Sequence, residues 1–166
     1  MIAISRQTAD LSGYPDLVVV YLGFQVHSFG GFLTLMKLGP QIVKSVDAKP
    51  DGLLHHEGNM ILKLFPLHVG MRQYWRDFES LEKWTRALPH MDWWKDFLSR
   101  PQGVSFWHET YCIRGGIESV FLGSKETGSQ PGLLGFAPNL DANAAMFSAR
   151  RRLKREGAER PSVLAE

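Results

Sequence analysis

Apolar and polar positions alternate in a way that divides the chain into short, bounded elements. Residues 17–26 are apolar on both alternating sides: Leu17, Val19 and Tyr21 on one, Val18, Val20, Leu22 and Phe24 on the other. Their β-branched and aromatic content predicts a strand, and apolar residues on both sides predict cover on both faces of its sheet. Residues 29–46 carry Phe32, Leu35, Met36, Ile42, Val43 and Val46 at helical spacings. Gly39 and Pro40 are expected to kink or split that helix, because proline lacks a backbone donor and crowds the preceding turn. A turn at 49–52 leads to a strand within 53–65, strongest over 59–65 and ended by Pro66. A further strand at 68–75 has Val69, Met71, Gln73 and Trp75 on one face.

Asp77 is placed to cap a helix that starts at Phe78, with Phe78, Leu81, Trp84 and Leu88 on one face. Pro89 interrupts it and can open a second helical piece, in which His90, Trp93, Trp94 and Phe97 share a face. Gly103 opens a strand at 104–113, Gly115 and Gly116 turn the chain, and 117–122 reads as a last short strand. The order β-α-β-β-α-β is that of the α+β, ferredoxin-like (split βαβ) domain. Two helices cover one face of such a sheet, so a second apolar face calls for a second copy of the sheet. The expectation is a dimeric α+β barrel formed by residues 1–140, followed by a basic tail or helix at 141–166. A C-terminal segment folded across the uncovered face would serve the same need.

Composition narrows the classes. The chain has 166 residues, 44% of them hydrophobic and 22% charged, which fits one soluble globular domain. A formal net charge of +2, with much of the surplus in Arg150, Arg151, Arg152, Lys154, Arg155 and Arg160, argues against a nucleic-acid partner. The single cysteine, Cys112, excludes an intrachain disulfide framework, points to a reducing cytoplasm, and reads as a small buried apolar residue. No apolar run is long enough for a membrane span, and Asp10 and Asp16 before the first run do not suit a signal peptide. His55 and His56 are adjacent on a strand, so they diverge and make no compact metal site.

Several segments together carry a resemblance. They are Gln73-Tyr-Trp-Arg-Asp-Phe-Glu-Ser-Leu-Glu82, then His90 with Trp94 and Phe97, then Phe106-Trp-His-Glu-Thr-Tyr111. A glycine turn with Glu118 and Val120 follows, and then Gly132-Leu-Leu-Gly135. Over about residues 16–138 the chain resembles the monooxygenase family typified by a fumagillin-pathway enzyme, within the dimeric α+β barrel superfamily. The resemblance implies a homodimeric barrel among small oxygenases of secondary metabolism. Its neighbours include cofactor-free quinone-forming enzymes and, more distantly, haem enzymes such as aldoxime dehydratases and dye-decolourising peroxidases. The segment from His55 to His68 is longer than the family pattern, with Pro66 and Leu67 where a glycine-rich hairpin is expected.

The residues suited to chemistry are few. His90, on a helix face with Trp94 and Phe97, could deprotonate a phenolic substrate or ligate a haem iron. His108 and Glu109 are neighbours on a strand and point to opposite faces. Glu109 shares its face with Trp107 and Tyr111, aromatics suited to a pocket for a flat molecule; His108 shares its face with Val104, Phe106, Thr110 and Cys112. Structural roles are also open: His108 bonded in the core, and Glu109 paired with an arginine such as Arg72.

The function expected from this pattern is a small monooxygenase-like enzyme acting on an apolar, aromatic or polyketide-type secondary metabolite. His90, Glu109 or His108 would be the catalytic group, and Trp75, Trp94, Phe97, Trp107 and Tyr111 would hold the substrate, with no cofactor and no metal. One alternative is a haem enzyme of oxidase, peroxidase or aldoxime-dehydratase type with His90 as axial ligand. Another is a non-catalytic dimer module that binds a hydrophobic ligand.

Overall fold

A computed structural model describes residues 5–99, 103–113, 116–123 and 132–141. Along the chain the elements are β1 (Ser5–Ala9), β2 (Val18–Val26), α1 (Phe29–Asp47), β3 (Leu53–Lys63) and β4 (His68–Trp75). They continue with α2 (Phe78–Thr85), α3 (His90–Ser99), β5 (Val104–Cys112), β6 (Phe121–Gly123), a 3-10 turn (Gly132–Gly135) and β7 (Asn139–Asp141). They fall into two compact units, one of residues 17–112 and one built from the described residues on either side of it. The expected basic tail lies almost wholly outside the described residues. Among those described, no helix is long and apolar enough to cross a membrane.

Residues 17–112 form the ferredoxin-like order read from the sequence. Their four strands run β3-β4-β2-β5, each antiparallel to its neighbours, with Val20 of β2 opposite Gln73 of β4 and Thr110 of β5. β2 is an inner strand with both sides apolar, so it anchors the sheet. Its even-numbered side faces the helices. Val18 and Val20 pack with Trp75 and Leu81, while Phe24 and Val26 pack with Val104, Leu35 and Ile42. Asp77 caps α2 as expected, its carboxylate accepting the Ser80 N–H at 2.7 Å.

Four local expectations are corrected. α1 runs unbroken through Pro40, the lost donor costing one helical bond without splitting the helix. β3 begins at Leu53 and ends at Lys63, so Leu64 and Phe65 belong to the turn before β4. Its pairing with β4 is irregular in three places, and Asn59 adopts a left-handed φ of 57°. On α2 only Leu81 of the expected face is buried; Phe78 and Leu88 are exposed, Leu88 lying beyond the helix end. The extra short strand expected at 117–122 is found at Phe121–Gly123, where it pairs with β1.

The second unit is a three-stranded antiparallel sheet with β1 between β6 and β7. Ala9, Leu11, Leu133, Leu134 and Ala137 are its buried apolar residues, and Tyr14 meets Phe136 edge-on at 5.1 Å. β1 and β7 were not anticipated.

Candidate functional site

The helix face of the four-stranded sheet is not closed by packing. α1 buries only Gly31, Leu38 and Val46. Beneath it lies a cavity of about 600 Å³ whose walls include Leu22, Phe24, Leu35, Ile42, Val43 and Met71. The space is partly open to solvent, with Met36 and Ile61 exposed at its rim, and its mostly apolar lining suits a small apolar molecule. Lys44, Asp47 and Asn59 supply polar groups to the same wall set. A smaller lobe of about 70 Å³ shares Leu22, Phe24 and Ile42 with the large cavity and adds Leu38, Gln73, Trp84, His90, Trp93 and Phe106.

His90 therefore stands on the cavity side of the sheet. Its Nδ1 lies 3.0 Å from the Thr85 carbonyl, which only accepts, so Nδ1 carries the proton and Nε2 carries the lone pair. The ring packs on Trp84 at 4.9 Å and near Trp93 at 6.3 Å. Burial pushes its pKa below the ordinary 6.5, with the nearby His108 adding to the effect against the Thr85 bond. A neutral imidazole whose Nε2 has no partner among the described residues can accept a proton.

Gln73 is the polar residue that the expected site omitted. It interrupts the apolar side Val69, Met71, Trp75 on an inner strand, is fully buried, and lines the small lobe. Its Oε1 accepts the indole N–H of Trp75 at 2.9 Å, and its Nε2 contacts Met71 Sδ at 3.3 Å. Trp75 itself, expected to hold substrate, lines neither space; it is wholly buried against Val18, Val20 and Leu81.

The other expected residues are divided by the sheet. Trp107, Glu109 and Tyr111 occupy the face away from the helices. Trp107 donates its indole N–H to His68 Nε2 at 2.6 Å, and Tyr111 donates to the Glu109 carboxylate and meets Tyr21 edge-on at 6.2 Å. Arg72 on that face bonds Glu57, not Glu109, and donates to Tyr21 Oη at 2.8 Å. Leu17, Val19 and Tyr74 are buried there, but the rest of the face is aromatic and polar rather than simply apolar. Glu109 is thus removed from His90 by the thickness of the sheet.

His108 lies on the helix face as its strand position implies, yet it is exposed, with its ring 5.9 Å from Phe106, and is no buried core histidine. Cys112, expected to be buried, is exposed. His55 stacks on Tyr74 while His56 bonds Asp47 at 3.0 Å, so the pair diverges. The side chains of Trp94 and Phe97 lie outside the described residues, although α3 carries both.

The ferredoxin-like α+β domain thus has an apolar cavity between its first helix and its sheet, with room for a small molecule. The chain belongs to the monooxygenase af470-like family, whose profile matches residues 17–129. No curated protein sequence matches it significantly. Among solved structures it is similar to the aldoxime dehydratase OxdRE crystallised with butyraldoxime. That likeness has 20% identity and a TM-score of 0.68, covering 92% of this chain and 44% of that one. A second aldoxime dehydratase gives 18% identity at the same TM-score and coverage. The chain spans less than half the length of these relatives. It is also similar to SnoaB, a cofactor-independent oxygenase from Streptomyces nogalater, at 12% identity and a TM-score of 0.46, covering 61% of this chain and 97% of that one. At such identities the aldoxime dehydratase likeness shows the fold alone.

Proposed function

We propose that the protein is a small monooxygenase-type enzyme that oxidises an apolar, aromatic or polyketide-type molecule held between α1 and the sheet. The observation that carries this is a neutral imidazole, His90, with Nε2 free among the described residues, lining a lobe beside a large apolar cavity. Membership of a family named for a monooxygenase supports the reaction class.

His90 would take a proton from an acidic substrate position, and the resulting anion would be rich enough in electrons to reduce oxygen. An activated CH₂ loses both hydrogens; one oxygen atom becomes the new carbonyl, and the other leaves as water. The substrate supplies all the electrons, so the protein's part is binding, proton transfer and exclusion of water. The test is oxygen uptake with 1,8-dihydroxyanthrone as probe and no added reductant. One oxygen consumed per anthraquinone formed, with no product under nitrogen, is expected; undiminished product under nitrogen would refute the reading.

The haem reading draws on the same histidine, since a Thr85-bound Nδ1–H leaves Nε2 free for an iron. The lobe at His90, about 70 Å³, is small for a porphyrin, and among the described residues the large cavity has no histidine, cysteine or tyrosine on its walls. A passive carrier of hydrophobic ligands would need the cavity but not the imidazole. Pairing of two copies through the face bearing Tyr21, Trp107 and Tyr111, and a cytoplasmic setting, are proposed with this reading. Support for pairing comes from Tyr111, an aromatic 47% exposed on that face.

A further inference from the structure

The two elements that flank the cavity mouth leave large apolar side chains in solvent. On α1, Phe29, Leu33 and Met36 are exposed, Phe29 to 76%, and their spacing sets them in one stripe along the helix. In the turn between β3 and β4, Leu64 and Phe65 are 77% and 89% exposed. Topology brings stripe and turn to one end of the unit formed by residues 17–112. Val26, the last residue of β2, donates its N–H to the Leu67 carbonyl at 2.8 Å, and α1 starts three residues later at Phe29. Met36 and Ile61 then carry the exposed apolar surface to the cavity rim. A lone exposed apolar residue is ordinary, but a group of them beside an apolar cavity marks a surface that meets a partner.

The charges on these segments say which partner. Residues 17–46 and 58–76 contain no aspartate or glutamate, although the chain has 17 acidic residues. Lys37, Lys44 and Lys63 are exposed there. The acids that border the segments are engaged: Asp47, at the far end of α1, bonds His56, and Glu57 bonds Arg72. Two copies paired through this patch would set lysine against lysine with no acid on these segments to answer them. A bilayer with anionic headgroups supplies both an apolar layer and the negative charge. We infer that the protein docks on an anionic lipid surface through the β3–β4 turn and the α1 stripe, with the cavity mouth turned toward the lipid. Leu64 and Phe65 enter the boundary between headgroups and acyl chains, while Lys37 and Lys63 stay among the phosphates. An apolar ligand dissolved in the lipid then reaches the space under α1 without crossing water. This goes beyond the proposed oxidation and holds whatever chemistry His90 performs.

Co-sedimentation of the whole chain with sucrose-loaded vesicles tests it. Binding to phosphatidylcholine vesicles that carry about one-third phosphatidylglycerol is expected to be at least about tenfold tighter than to pure phosphatidylcholine, and to weaken as salt screens the lysines. Leu64→Ser combined with Phe65→Ser, a change confined to side chains in solvent, is expected to cost about 10- to 100-fold on the anionic vesicles. If that variant does not fold, Lys63→Glu decides, with an expected loss of about tenfold. No binding to anionic vesicles overturns the inference. Binding that neither variant weakens, as attachment through the basic residues 150–160 would give, overturns it too. So does a dimeric wild type that the double variant turns monomeric on size exclusion, which would make the patch a protein interface.

Discussion

His90 and Glu109 stand on opposite faces of one antiparallel sheet, His90 beside Phe106 on the helix side and Glu109 beside Tyr111 on the other. A substrate held by one cannot be deprotonated by the other. His90→Ala is therefore expected to lower turnover of the anthrone by about 10²- to 10⁴-fold, the usual worth of a positioned base. Glu109→Gln should leave it within about twofold, since a carboxylate on the far face serves no proton in the cavity. Comparable losses in both variants, measured as initial rates of oxygen uptake, would contradict this division.

The pH dependence follows from the buried imidazole. Burial holds His90 below 6.5, so the base form persists at neutral pH and the rate should fall only as pH drops through that lowered pKa. The same shift bears on stability. Between 6.5 and the lower folded-state value, the unfolded chain binds the proton and the folded chain does not, so stability falls with pH in that window and is flat above it. His55, also lowered by burial, acts in the same window. Urea unfolding at about pH 7.5 and about pH 5 should show a smaller loss in His90→Ala than in the wild type.

Gly31 lets the start of α1 pass close to the backbone at Gly103, just before β5. A Cβ built on it would lie 1.9 Å from the Gly103 carbonyl oxygen, which is backbone and cannot swing aside. Ser28 caps the helix at the same place, accepting the Gly31 N–H at 3.2 Å. Gly31→Ala is expected to cost about 3 kcal/mol, the upper end of ordinary overpacking. Denaturant titration that shows no loss would mean the helix can shift its start freely.

The cavity itself predicts a third kind of variant. Val43 projects from α1 into the space of about 600 Å³. Val43→Phe fills part of that space, so stability should change by less than about 1 kcal/mol while naphthalene affinity drops by about tenfold. An unchanged affinity would place the ligand elsewhere.

How much of this was legible in the sequence depended on what each signal encodes. β2, β4 and the Asp77 cap were readable because alternation and capping chemistry are local. β1, Ser-Arg-Gln-Thr-Ala, has no apolar alternation; its partners β6 and β7 are three residues each, so pairing had to come from the fold. Period-two spacing placed Glu109, Trp107 and Tyr111 on one side correctly, but it does not say which side faces the helices. For Trp75 it gave the right face and not the depth; the indole lies at the Leu81 end, away from the cavity. The cavity was invisible because Leu35, Ile42 and Val43 have the same helical spacing whether they fill a core or line a void. Gln73 did leave a trace, as the one polar residue on an otherwise apolar strand face.

The face of the sheet on which a flat phenol binds decides whether His90 can act on it. The direct measurement is a crystal structure of the protein grown with 2-naphthol. Its ring is expected between α1 and the sheet, against Leu22, Phe24 and Ile42, with its oxygen within hydrogen-bond reach of His90 Nε2. A ring bound instead on the opposite face, against Tyr21, Trp107 and Tyr111, would contradict it.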